Sequence, residues 1–341
     1  MVDGRRLLLL ALSSCTTAVL CSLVRPWAAC RGLRRLRMCT PTPLLHAARK
    51  AQSVCGCGTA DSPRVAPDEE RALAILRAWE ADMDLCEACE RGVRLGTETC
   101  EYGSGVKLYG RLVWAEGARA GERRPGVLLV HTAVGPRDLF LFWRAEALAA
   151  LGYVVLIADC LGDQCGKGWD PEWTIPVRER LMADRHLLRQ RMVDAFETLA
   201  ASDRVDSTMI AACGYCFGGR AVLDLAKADP NGLQLVVSFH GVVDAEPPPA
   251  GVERIRSRVL LFHGDADPFV PADTLSASVQ QLRDLHAPFE LHAYGGVKHG
   301  FTNPAQDLNP SPAFAYNVVA ADSSWHMTKH ALASMQSMRP A

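Results

Sequence analysis

The 341-residue sequence predicts an α/β protein whose mainly parallel sheet carries helices on both faces. Three observations lead there. From about Thr97 onward, apolar runs of strand length alternate with longer helical ones, the pattern of a buried parallel sheet and its crossover helices. One of these strands ends in Gly214-Tyr215-Cys216-Phe217-Gly218-Gly219 and passes straight into a helical run. Two later strands each end in a loop that carries an acid or a histidine.

Along the chain, residues 1–60 come first, with no Asp or Glu between Gly4 and Ala60 but arginines at 5, 6, 25, 31, 34, 35, 37 and 49. The apolar stretch Leu7 to Val24 suits a signal-peptide core or a short membrane anchor, and the acid-free, Arg-rich segment after it resembles an organellar transit peptide. The expectation is a removable address to a plastid or mitochondrion, or secretory entry, with an uncleaved anchor as the alternative. Residues 61–96 read as a charged connector with one amphipathic helix, Glu69 to Trp79, apolar at Leu73, Ile75, Leu76 and Trp79. Residues 97–341 are expected to form one domain. In it Val106 to Trp114 and Gly126 to His131 read as strands, Leu139 to Leu151 as a helix and Tyr153 to Ala158 as a strand. Arg178 to Ala200 reads as one long helix, Met209 to Cys213 as the strand before the Gly-rich turn, and Arg220 to Ala228 as the helix after it. Val259 to Phe262 and Phe289 to Tyr294 are the later strands, and Pro247 to Pro249 lies in a loop.

Taken alone, the Gly-rich turn fits a phosphate-binding loop or a buried structural cysteine as well as a nucleophile elbow. The order downstream favours the elbow. The strand Val259 to Phe262 runs into His263-Gly264-Asp265-Ala266-Asp267-Pro268, and Phe289 to Tyr294 runs into Gly295-Gly296-Val297-Lys298-His299-Gly300-Phe301. Nucleophile, acid and histidine on successive post-strand loops is the order of an α/β-hydrolase fold. A free thiol with a pKa of about 8.5 is only a few per cent thiolate at neutral pH, so Cys216 needs a partner to take its proton. His299 follows the last strand and suits that role; Asp267 would hold the far ring nitrogen. His240 and His263 also precede glycines at strand ends, and Asp265 lies two residues from Asp267. They read as turn residues, with Asp265 capping the turn that presents Asp267.

With Gly-Tyr-Cys-Phe-Gly-Gly at 214–219, His-Gly-Asp-Ala-Asp-Pro-Phe-Val-Pro at 263–271 and Tyr-Gly-Gly-Val-Lys-His-Gly-Phe at 294–301, the chain resembles the dienelactone hydrolase family over roughly residues 97 to 335. The resemblance implies a catalytic triad at Cys216, Asp267 and His299, with oxyanion-hole amides at Ala133 and Phe217. It implies a carboxymethylenebutenolidase-like ester or lactone hydrolase working through a thioester acyl-enzyme. No metal or organic cofactor is implied, since such a triad and oxyanion hole suffice for acyl transfer.

The family's best-known members hold a carboxylated lactone with two arginines and keep a glutamate beside the resting thiol. Those places fall here on Asp163, Asn303 and Thr132 respectively. Neither Asp nor Asn imitates a bidentate guanidinium, so anionic substrates, dienelactone among them, are expected to be disfavoured. Without the glutamate, Cys216 is expected to rest partly as a thiolate. Thr132, Asp163, Asn303 and His131 are therefore candidate pocket residues, and Trp143, Trp169 and Trp173 candidates for its roof, although each also reads as structural.

A formal net charge of −1 and the lack of a basic, aromatic-interleaved stripe favour no nucleic-acid partner. The expected partner is a small ester or lactone, and a membrane only through an uncleaved N-terminal segment. Of thirteen cysteines, six precede residue 60. Cys86 and Cys89 have metal or redox spacing without a second pair, and read as two faces of a short helix. Cys160, Cys165 and Cys213 read as free thiols, which favours a reducing compartment. The rival function is a ligand-trapping or redox-sensing protein on a hydrolase scaffold. A thiol-dependent peptidase is weaker, as no extended peptide-binding domain is evident.

Overall fold

The computed structural model describes residues 67–119, 121–162 and 171–337. The expected address within residues 1–60, together with Asp163, Cys165 and Trp169, lies outside them.

Two helices open the described chain, α1 (Pro67–Glu80) and α2 (Met83–Glu90), followed by β1 (Leu95–Tyr102), β2 (Leu108–Ala115) and β3 (Arg124–Val130). Then come α3 (Leu139–Ala150), β4 (Val154–Ala158), α4 (Pro171–Ala183), α5 (Arg185–Ala200), β5 (Val205–Tyr215) and α6 (Phe217–Ala228). The chain closes with β6 (Leu233–Phe239), β7 (Arg258–Gly264), α7 (Ala272–Asp284), β8 (Phe289–Tyr294), a 3-10 turn (Pro304–Leu308) and α8 (Val318–Ser337). The eight strands form one sheet in the order β1-β2-β4-β3-β5-β6-β7-β8. β1 and β2 are antiparallel, β2 meets β4 antiparallel, and every pairing from β4 to β8 is parallel.

Strand alternation divides the core between the two faces. Leu128, Val130, Ile210 and Ala212 point to one side and pack with Leu188 and Met192 of α5 and Ala221 and Val222 of α6. Val127, Leu129, Ala211 and Cys213 point to the other and pack with Phe140 and Leu141 of α3 and Trp325 of α8. The central strands are buried along nearly their whole length, as a parallel sheet covered on both faces requires. This is the α/β-hydrolase architecture that the sequence predicts.

Three expectations are corrected. The single helix over Arg178 to Ala200 is two helices, because Asp184 breaks the run and its side chain accepts the backbone N–H of Leu187 to cap α5. Strand β1 has no counterpart in the expected strands: half of the residues of this edge strand are exposed, and Gly96-Thr97-Glu98-Thr99 carries no apolar alternation. The connector is packed structure. Ile75 and Trp79 of α1 enter the core, Trp79 Nε1 donates to Glu146 at 2.8 Å, Trp143 Nε1 donates to Asp82 at 2.8 Å, and Lys329 pairs with Asp84. Trp143 is therefore a core residue of α3, not part of a pocket roof. Cys86 and Cys89 both lie on α2, Cys86 as a free thiol and Cys89 disulfide-bonded, while Cys160 and Cys213 are buried free thiols.

Candidate active site

Parallel strands deliver their C-terminal ends to one edge of the sheet, and the residues singled out above collect there. β5 ends at Tyr215 and α6 begins at Phe217, leaving Cys216 alone on the turn with φ 56° and ψ −114°. Left-handed backbone at a residue with a Cβ stores strain on the order of 1–3 kcal/mol. The neighbouring glycines make the turn sterically feasible. A Cβ on Gly214 would stand 2.1 Å from the Gly218 carbonyl oxygen, and one on Gly218 would stand 2.4 Å from the Val130 carbonyl oxygen. The turn is thereby pressed against the end of β3, and Cys216 is 7% exposed.

His299 Nδ1 donates to Asp267 Oδ2 at 2.6 Å, and Asp267 Oδ1 accepts the backbone N–H of Phe269 at 2.9 Å, so the carboxylate is fixed through both oxygens. Asp267 is buried while Asp265 is exposed, which sets the two apart. His299 Nε2 makes no hydrogen bond of ordinary geometry among the described residues, and the Cys216 thiol stands close enough for its charge to act on the ring. Phe269 and Phe314 set their rings edge to face against His299 at 4.9 and 5.2 Å, which keeps the imidazole dry.

Burial alone would raise the Cys216 pKa. The charge of the neighbouring His299, with the backbone amides of Phe217 and Ala133, outweighs burial and brings the thiol below its ordinary range. Burial likewise disfavours protonated His299, but Cys216 and Asp267 overcome it and push the imidazole up to about 10. A thiol and an imidazole so coupled exchange a proton readily, giving a thiolate beside an imidazolium. The N-terminus of α6 behind the sulfur favours the same charge.

The rival histidines are otherwise engaged. His240 is buried, shares a 2.8 Å hydrogen bond with the Thr302 hydroxyl, and is held neutral chiefly by burial; His263 is likewise depressed by burial. Among the candidate pocket residues, His131 is 0% exposed with both ring nitrogens occupied, so its edge is closed to a ligand. Asn303 Oδ1 accepts the Ala305 N–H and caps the 3-10 turn. Thr132 is half-buried, and its hydroxyl accepts the Val134 N–H. Trp173 lies on α4, with Trp169 and Asp163 before it outside the described residues.

One residue at the site is missing from the expectations. Arg178 of α4 is 3% exposed, Nη1 has no hydrogen-bond partner among the described residues, and Cys216 is the leading group offsetting the effect of burial on its charge. A faint sequence signal exists: Thr174, Arg178 and Leu181 fall at helical spacing and are all buried, so one arginine stands on the inward stripe of α4. No group of three or more metal-ligating side chains occurs among the described residues, and no helix among them is long and apolar enough to cross a membrane.

A model of the dienelactone hydrolase family matches residues 112–336. The solved structure of m3DLH is 32% identical, with a TM-score of 0.65 over 71% of this chain and 98% of its own. A dienelactone hydrolase-like promiscuous phosphotriesterase from metagenomic libraries is 31% identical, with a TM-score of 0.65 and the same coverage of both chains. An uncharacterised protein of Caenorhabditis elegans is 30% identical over 147 residues, 41% of this chain and 89% of that protein.

Proposed function

Because the chain belongs to the dienelactone hydrolase family, a hydrolase family acting on esters and lactones, we propose that it cleaves a small carboxylic ester or lactone through a thioester at Cys216. The observation that carries this reading is His299, held on one nitrogen by Asp267 and electrostatically coupled to the Cys216 thiol, which its charge favours as thiolate. The thiolate attacks the carbonyl carbon, and the oxygen that becomes negative is received by the Ala133 and Phe217 N–H groups. Those two amides favour negative charge on the Cys216 sulfur and lower its pKa. His299 gives its proton to the departing alkoxide, then takes one from the water that attacks the thioester. Collapse of the second tetrahedral adduct releases the acid and restores the thiolate. Asp267 keeps the ring oriented and stabilises its charged form.

Substrate charge is a separate matter. The expected bias against anions rested on Asp163 and Asn303. The first lies outside the described residues, and the second caps a turn. Arg178 supplies positive charge near the nucleophile, so that bias has no support among the described residues. We retain a substrate other than dienelactone itself as part of the proposal, because the guanidinium stands on α4 and not at either place where the resemblance puts one.

Steady-state turnover of p-nitrophenyl acetate tests the reading. Cys216→Ala and His299→Ala should each lower kcat by at least ~10³, with the double variant little worse, as for residues acting as one unit. Additive losses, or unimpaired Cys216→Ala, would reject it. A single acylation without further turnover would identify the ligand-trapping alternative instead.

A further inference from the structure

His131 is the last residue before the loop that carries Ala133, and nothing in the proposed chemistry uses it. Its ring Nε2 accepts the backbone N–H of Cys160 at 3.1 Å. That contact requires a lone pair on Nε2, so the ring proton resides on Nδ1, where it donates to the Thr132 carbonyl oxygen at 2.6 Å. The Thr132 carbonyl belongs to the same planar peptide unit as the Ala133 N–H, with the two groups pointing in opposite directions. Fixing that oxygen therefore aims the Ala133 N–H. The Gly135 N–H donates to the same oxygen at 3.2 Å and closes the loop around it. On its face, the His131 ring stacks against the Phe217 ring, with centroids 5.8 Å apart and planes 19° from parallel. Phe217 carries the second backbone N–H that, with that of Ala133, lowers the Cys216 pKa. One buried side chain thus touches the ends of β3 and β4 and the start of α6.

We propose that His131 is the positioning residue of the oxyanion hole, pinning the Thr132–Ala133 peptide through Nδ1–H and bracing Phe217 with its ring face. The inference rests on the hydrolase reading above. Burial, which pushes the imidazole's pKa down against the opposing Thr132 carbonyl and Asp159, favours the neutral ring that these contacts require.

The test compares two reactions of the same sulfur in the full chain. Hydrolysis of p-nitrophenyl acetate needs both the thiolate and the oxyanion hole, whereas alkylation by iodoacetamide needs only the thiolate. His131→Phe keeps a ring against Phe217 and removes both polar contacts. It should lower kcat for the ester by about 10²-fold, the scale of losing one oxyanion donor, with KM changed less than threefold or so. Alkylation should slow by less than about tenfold. His131→Asn, whose amide N–H can still reach the Thr132 oxygen, should recover at least about tenfold of that kcat. Equal losses in the two reactions, no loss in ester hydrolysis, or a folded His131→Asn no better than His131→Phe would each overturn the proposal. Should only one variant fold, the ratio of its two losses decides alone. Persistent turnover in Cys216→Ala would reject Cys216 as the nucleophile and overturn the His131 proposal with it, and because it appears with His131 intact it is distinct from a failure of the His131 variants alone.

Discussion

Cys216 and His299 displace each other's proton affinity in opposite directions, and the pH dependence of catalysis follows from the signs. The thiol is held below its ordinary range, so the thiolate survives to lower pH than a free cysteine would allow; the imidazole is raised to about 10, so its proton is kept until the solution is alkaline. Between these limits the reactive pair exists, and kcat/KM should form a plateau there. The acid limb should appear as the thiolate is protonated, and the alkaline limb near pH 10, where His299 loses the proton it gives to the leaving group. In Arg178→Gln the acid limb, followed as thiolate absorbance at 240 nm, should move to higher pH because a buried positive charge near the sulfur is gone. A limb that stays in place would show that Arg178 does not act on the thiol. The proposed reacting residues Cys216, Asp267 and His299 are legible in the sequence because each stands in a local motif at a strand end. Arg178 is not, since Arg178-Glu179-Arg180 looks like a solvated helix face and only tertiary packing turns the first of them inward. Asn303 and His131 are candidate pocket residues in the sequence, but a sequence does not show that a cap or a peptide carbonyl has already claimed their polar atoms.

At the scale of elements, the turn between β5 and α6 is held by contact, not by sequence preference. Cys216 N–H donates to the Phe239 carbonyl at 3.0 Å, which ties the turn to β6, and its carbonyl accepts from Val242 at 3.3 Å. On the other side Gly218 lies so close to β3 that an added Cβ would meet the Val130 and His131 carbonyl oxygens at 2.4 and 2.6 Å. Neither oxygen can retreat without breaking the end of β3, where the Ala133 loop begins. Gly218→Ala should therefore destabilise the fold by about 1–3 kcal/mol or more, as overpacking does, and lower kcat by at least ~10² by displacing an amide from the oxyanion. Gly295→Ala is the control. It has no heavy atom within 4 Å of the new methyl group and should match the native enzyme in both urea denaturation and kcat. A fully active Gly218→Ala would mean the elbow tolerates shifts that the packing forbids. The Gly-rich pattern announced this turn in the sequence, whereas the break at Asp184 that divides α4 from α5 went unread, because Met182-Ala183-Asp184-Arg185 contains no Pro or Gly to mark it.

At the scale of the whole molecule, the helices before the first strand decide where the stable unit begins. Their charged composition reads as a connector because the docking contacts are polar groups on an apolar base: Trp79 to Glu146, Asp82 to Trp143 and Asp84 to Lys329. Asp82 also accepts the N–H groups of Asp84 and Leu85, so one carboxylate caps α2 and joins it to α3. Ile75 and Trp79 are buried with Phe140 and Trp325, and each such side chain contributes about 1.5–3 kcal/mol. The sequence expectation of a removable address ends at residue 60, before all of these contacts. With a thiol reductant present, which opens the Cys89 disulfide in every chain compared, a chain lacking residues 1–60 should keep the melting temperature and esterase kcat of the full protein within error, since every contact just named stays in place. A chain lacking residues 1–94 loses them together and should melt about 10 °C lower or fail to accumulate, at roughly 2–4 °C per kcal/mol for a domain of this size. Equal melting of the two truncations would show that α1 and α2 dock without stabilising the sheet, and would return the boundary of the folded unit to β1.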